Sequence, residues 1–400
     1  MSGIREVFDN IENQTLSSET LAQTAKISDE FKKKGEWSSI SPDGQHANIR
    51  FANNVYYDGD ESSVSVSNSE NVVLNVTKGT REIGVNDSNN VITNTGEGSD
   101  RLRVNNSSNV IINSGGSNDG IGVMGSKNVL INSGDGDDRV FSSGSSGIAI
   151  KSGNGNDIIT ANTSNNVAID SGNGNDSIEI SSSSNVSIDE GDGNDKTTVY
   201  SSNSLNINNG DGDDTTYVIS SDNLTINGGK GDDITNVQHS SNVIVDGGDG
   251  DDIITVENSN NVIVNGGAGN DTITASGIIS GGTGDDYIKL HHSIFQKDEN
   301  IQDVIRYNRG DGHDIIEGVT EDTIIELNGI SESEYDVAES RNENGKKVKT
   351  LTMKDGSGSI TMIYNDSTYS NNVKKQDDPE QYGNAPEYTR LNDVSVAETN

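Results

Sequence analysis

Apolar residues along this chain come in short pairs set two apart, divided by runs of Gly, Ser, Asn and Asp, and the pairs recur every 19 residues. One series reads Leu102/Val104, Ile121/Val123, Ile178/Ile180 and Ile254/Val256. The other reads Val110/Ile112, Val129/Ile131, Val186/Ile188, Leu224/Ile226, Val243/Val245 and Val262/Val264. A spacing of two puts both members of a pair on one face of a strand. The Gly- and Asn-rich stretches between them are turn chemistry. Each unit therefore predicts turn, short strand, turn, short strand. A unit this small cannot bury its apolar side alone, so successive units must stack as parallel rungs about 4.8 Å apart. The expected fold class is all-β, a right-handed parallel β-roll or β-solenoid of about 12 rungs.

The register is fixed by an acidic turn, Gly-x-Gly-x-Asp. Its copies are Gly96, Gly98, Asp100; Gly134, Gly136, Asp138; Gly153, Gly155, Asp157; Gly172, Gly174, Asp176; and Gly191, Gly193, Asp195. They continue as Gly210, Gly212, Asp214; Gly229, Gly231, Asp233; Gly248, Gly250, Asp252; and Gly267, Gly269, Asp271. The frame at 115 reads GGSND and keeps Asp119, and a copy with Gly282, Gly284 and Asp286 arrives 15 residues after its predecessor. With the first Gly as position 1, Asp holds position 5 and the apolar pairs hold positions 7/9 and 15/17. Position 14 is Asn at 71, 90, 109, 128, 166, 185, 223, 242 and 261. Asn tolerates left-handed backbone and can bond to its copy one rung away, so an internal Asn ladder is expected on the second edge.

Composition alone points elsewhere. With 29% hydrophobic residues, 4% aromatic and a net charge of -37, the chain would be classed as disordered if the repeat did not organise it. The acidity excludes a nucleic-acid partner, since like charge repels phosphate, and suits a protein that collects cations. There is no Cys and no apolar run long enough to span a membrane. The first residues, MSGIREVFDNIENQ, lack the apolar stretch of a secretory signal, so export is expected only by a route that does not read the N-terminus.

The turn suits calcium. Glycines at positions 1 and 3 let the backbone curl so that carbonyls face one centre, and Asp at position 5 adds carboxylate oxygen. Flexible all-oxygen donors select calcium, whereas zinc would call for Cys or periodic His. Carboxylates stacked about 5 Å apart repel by roughly 3 kcal/mol per pair at an effective dielectric near 20. About one calcium ion per rung interface along this edge reverses that sign and makes the ion a condition of folding.

The segments GGKGDDITN (228–236), GGDGDDIIT (247–255), GGAGNDTIT (266–274) and GGTGDDYIK (281–289) resemble the nonapeptide of the repeats-in-toxin (RTX) haemolysin-type calcium-binding proteins. Earlier rungs replace the leading Gly by Ser, Glu or Asn. The resemblance implies a calcium-loaded β-roll, a type I secretion apparatus as export partner, an extracellular or cell-surface location, and a structural or adhesin-type role. The ion-binding turn stands on one edge only, which is similar to the ice-binding domain of an RTX adhesin. That domain's Thr rank is missing here: the position holds Glu97, Asp135, Asn154, Asn173, Asp192, Asp211, Lys230, Asp249 and Ala268, and only Thr283 matches. An ice- or glycan-binding surface is the alternative reading.

Four segments are expected: 1–57 as an N-terminal cap with an amphipathic helix over 17–34, 58–290 as the solenoid, 291–370 as a C-terminal β cap, and 371–400 as a disordered tail and candidate secretion signal. No nucleophile–base motif appears, and the adjacent His291 and His292 have no catalytic companions, so the chain is read as a non-enzyme. Position 16 should face outward yet is apolar at Val73, Ile92, Ile111 and Leu130. Either a helix or partner covers this stripe, or it reflects strand propensity on a half-exposed face.

Overall fold

The computed structural model describes residues 38–40, 46–59, 61–77, 79, 81–291 and 302–365. The 17–34 helix and the 371–400 tail lie outside them. The chain divides into two compact units, 1–226 and 227–400. Among the described residues no helix is long and apolar enough to cross a membrane.

In the first unit, two parallel sheets advance together, one strand each per rung. One sheet contains Ser63–Ser67, Glu82–Asn86, Arg101–Asn105, Gly120–Met124, Arg139–Ser143, Ile158–Asn162, Ser177–Ser181 and Lys196–Tyr200. The other runs from Asn53–Asp58 through Ser108–Gly116 and Lys127–Asp135 to Asn203–Asp211. Pairing keeps the repeat's register: Ile121 opposes Val140, Val140 opposes Ile159, and Val110 opposes Val129. The β-solenoid read from the sequence is the fold, with about 14 turns among the described residues where about 12 rungs were expected. His46–Arg50 pairs in parallel with Ser63–Ser67, and Ser38–Ile40 lies antiparallel against it.

The second unit repeats the plan with Ile234–Gln238, Ile253–Glu257, Thr272–Ala275, Tyr287–Leu290 and Gly312–Val319 in one sheet. Ser241–Asp249, Asn260–Ala268, Ile278–Thr283, Val304–Asn308 and Ile324–Asn328 form the other. Parallel pairing thus continues beyond residue 290. It ends where Gly358–Tyr364 joins Gly312–Val319 and opens an antiparallel meander with Lys347–Met353 and Tyr335–Arg341.

The four expected inward positions are buried, as at Leu102, Val104, Val110 and Ile112. The second edge departs from expectation. The Asn residues of position 14 do form a ladder, with Asn90 Nδ2 donating to Asn71 Oδ1 (2.8 Å) and Asn128 Nδ2 to Asn109 Oδ1 (3.0 Å). That ladder is on the outside, half-buried to exposed. The inner one is built by Ser at position 12: the Ser88 N–H donates to Ser107 Oγ (3.1 Å) and the Ser107 N–H to Ser126 Oγ (3.1 Å). Each hydroxyl in turn donates to the carbonyl two residues back, as Ser88 Oγ does to Asn86 O (2.8 Å). The turn bends at left-handed residues on both sides of this Ser, such as Asn106 (φ 48°) and Asn109 (φ 53°), which sends the short hydroxyl inward and the longer amide out.

The outward stripe differs between units. In the first, Val73, Ile92, Leu130, Ala149 and Ala168 are buried; in the second, Ile244 and Ile263 are exposed. Ile92 is 6% exposed and Ile263 40%. Ile92→Asp is therefore expected to cost on the order of 3 kcal/mol, because it buries an unpaired charge, whereas Ile263→Asp should stay within about 0.5 kcal/mol. Denaturation curves under matched conditions check this, and equal shifts for both would contradict it.

Candidate metal column

The acidic turn brings backbone strands closer than side chains allow. Gly153 (φ 109°) and Gly155 (φ 135°) sit in conformations that L side chains rarely adopt, and a Cβ on either would strike the carbonyl of its counterpart one rung back. The deviant copy at 115–119 pays with Ser117 at φ 73°. The turn carbonyls are partly engaged: the Gly116 N–H donates to Gly96 O (3.0 Å) and the Asp192 N–H to Gly172 O (2.9 Å). The curl delivers the Asp side chain to the inside of the rung. Asp100, Asp119, Asp138, Asp157, Asp176, Asp195 and Asp214 in the first unit are all buried, as are Asp233, Asp252, Asp271 and Asp286 in the second.

These carboxylates stack into a column with a strict division of labour. The Asp119 N–H donates to Asp138 Oδ1 (2.7 Å), the Asp138 N–H to Asp157 Oδ1 (2.7 Å) and the Asp157 N–H to Asp176 Oδ1 (2.7 Å). In the second unit the same bond links Asp233 to Asp252 and Asp252 to Asp271 (2.8 Å each). One oxygen of each carboxylate is thereby satisfied by the rung before it. The other, Oδ2, is buried and has no hydrogen-bond partner in any Asp from Asp100 to Asp214 or from Asp233 to Asp286. Beside the column, exposed position 4 makes a second ladder of opposite sense, in which the Asn156 N–H donates to Asp137 Oδ1 (2.9 Å) and the Asn175 N–H to Asn156 Oδ1 (2.8 Å).

Every sequence-predicted Asp stands in the column of its own unit, with the predicted glycines as turn walls. Three participants were not among the expected site residues, although the GDGHD copy that holds one of them is legible in the sequence. Arg81 occupies position 5 in the frame that starts at 77, and its N–H donates to Asp100 Oδ1 (2.5 Å), so a cation closes the first end. Asp314, from the GDGHD copy at 310–314, accepts from the Asp286 N–H (3.2 Å) and extends the column in the second unit. The third is the residue just before each first Gly. Thr95, Ser114, Ser133, Ser152 and Ser171 are fully buried beside the column in the first unit. The second unit has Gly228, Gly247, Gly266 and Gly281 there, where a Cβ would collide with the Asp Oδ2 of its own rung.

Burial raises these carboxyls against the backbone N–H bond that lowers them. Asp119, Asp138, Asp157 and Asp214 are pushed up to about 6, and Asp176 and Asp195 to about 7. Asp252 and Asp271 rise to about 6, Asp286 to about 7 and Asp314 to about 8. Asp100 is also raised by burial, and the Arg81 charge works against the rise. A regular file of partnerless buried oxygens, with hydroxyls and turn carbonyls around it and no sulfur or ring nitrogen, fits a hard divalent cation. Calcium there would supply the missing positive charge and the second contact for each carboxylate.

A carboxyl whose folded-state pKa exceeds its unfolded value of about 3.9 binds protons more tightly when folded, so stability falls as pH rises from about 4 to about 7. In chelator, circular dichroism should report more β-structure at pH 4.5 than at pH 8, and saturating calcium should abolish the difference. More β-structure at pH 8 in chelator would contradict this. No protein-family model matches the chain, and no curated protein sequence matches it.

Proposed function

We propose that the chain is a calcium-ordered β-solenoid of RTX type that folds on meeting calcium outside the cell and serves as a structural or adhesin-type module. The observation that carries this reading is the column of buried aspartates, each with Oδ1 accepting from the preceding rung and Oδ2 making no hydrogen bond. An unpaired buried carboxylate is costly, and repetition multiplies the cost. A cation between rungs offsets it with the one ligand chemistry the column offers. Where free calcium is scarce, as inside a cell, the same charges keep the chain unfolded and thus fit for passage through a type I secretion apparatus.

No residue is assigned a catalytic role. His291 uses its backbone N–H on Ala275 O (3.0 Å), and His292 lies outside the described residues. An ice-binding surface has less support, because the row that would carry it holds hydrated Asn and Asp bonded along the row. Asn154 Nδ2 donates to Asp135 Oδ1 and Asn173 Nδ2 to Asn154 Oδ1 (2.6 Å each).

Calcium titration of the full chain, followed by circular dichroism, is expected to show a cooperative gain of β-structure with a midpoint on the order of 0.1–1 mM, the range of extracellular calcium modules. Magnesium should be far weaker, since it demands a stricter octahedral shell. Absence of any gain up to several times that calcium level would sink the proposal.

A further inference from the structure

One rung pair in the first unit breaks the column's pattern. Where four preceding rungs carry Ser114, Ser133, Ser152 and Ser171, the next carries Glu190, whose side chain is completely buried. Neither Glu190 Oε1 nor Oε2 has a hydrogen-bond partner. Its carboxylate oxygen lies within 4.8 Å of one from Asp195 and one from Asp214, and those two lie within the same limit of each other. The core is polar here as well. Position 7, apolar in earlier rungs at Val140, Ile159 and Ile178, is Thr197 and then Thr216. Both are buried, as is Asn209. Thr216 Oγ1 donates to Asn209 Oδ1 (3.2 Å). Thr197 Oγ1 lies beside the Glu190 carboxylate.

We infer that Glu190, Asp195 and Asp214 form a three-carboxylate calcium site, tighter than the ordinary rung interface, in which Glu190 reaches the ion from the core side and the two aspartates from the edge. The inference deepens the calcium reading and rests on it. Two calcium–oxygen distances of about 2.4 Å span about 4.8 Å, so one ion can bridge any two of these groups, and a side-chain adjustment of a few tenths of an ångström brings the third into its shell. An ordinary interface offers two aspartates and a hydroxyl; this one exchanges the hydroxyl for a carboxylate, adding a full negative charge where water is excluded. Affinity of oxygen-ligand calcium sites rises with ligand charge and rigidity. Without an ion, Glu190 would be a buried acid with no partner, a worse residue than the Ser of the preceding rungs. Thr197 and Asn209 have no role in apolar packing either, and they give the site a polar inner wall.

The test uses the full chain loaded with calcium and then challenged with graded chelator, the ions retained being counted by native mass spectrometry. Wild type should keep a single calcium at chelator levels about tenfold above those that strip the rest. Glu190→Gln and Glu190→Ser should lose that last ion together with the others. Glu190→Ser restores the residue of the neighbouring rungs, so its folding at saturating calcium, followed by circular dichroism, keeps the test valid if Glu190→Gln fails to fold. A retained single ion in Glu190→Ser, or no distinct last ion in wild type, overturns the site and leaves the calcium column standing. If wild type takes up no calcium at all, the column reading fails and the site falls with it.

Discussion

The aspartate carboxylates inside the acidic turn receive one hydrogen bond each, from the backbone N–H of the preceding rung, and the rest of the molecule is arranged around that bond. It fixes the axial register, because the carboxylate of one rung must meet the amide of its neighbour; Asp138 to Asp157 and Asp157 to Asp176 repeat it at 2.7 Å. It also commits a charged group to the interior with half its valence unmet. The turn glycines, the buried hydroxyls beside the column and Arg81 at its first end all follow from accommodating that group.

The two edges of a rung solve the same stacking problem in opposite ways. The Ser edge is neutral and self-sufficient: each hydroxyl accepts from the neighbouring rung and donates within its own turn. The Asp edge gains a shorter, charge-assisted bond and accumulates negative charge as it does so. Both edges could close a solenoid. Only one makes closure conditional on something outside the chain, and that asymmetry is what turns a fold into a calcium-responsive one under the proposed reading.

The units also differ beside the column. In the first, Thr or Ser side chains fill the space before the turn; in the second, glycine leaves it to the Asp Oδ2 itself. Glu190 and Asn209 are the exceptions in the first unit, and Glu190 places a third acid where a hydroxyl would fit. From Asp100 to Asp286 the repeat is therefore tolerant of what stands at this position but not of what stands at position 5.

Period, strand pairs, register and the aspartate file were legible in the sequence because each rests on recurrence and alternation, and alternation alone decides which strand residues face inward. Asp138, Ile159 and Val110 needed no coordinates to be placed. Turn residues have no such rule. Asn at position 14 looked like the inner ladder because Asn takes left-handed backbone and can bond its own copy, although Ser at position 12 recurs in every rung from Ser69 to Ser259; the left-handed residues at Asn106 and Asn109 turn Ser107 inward and the amides out. Glu190 read as one substitution in a variable position. Its meeting with Asp195 and Asp214 required the acidic turn to fold five residues back on themselves and the next rung to stack above, contacts that exist only once the chain has closed.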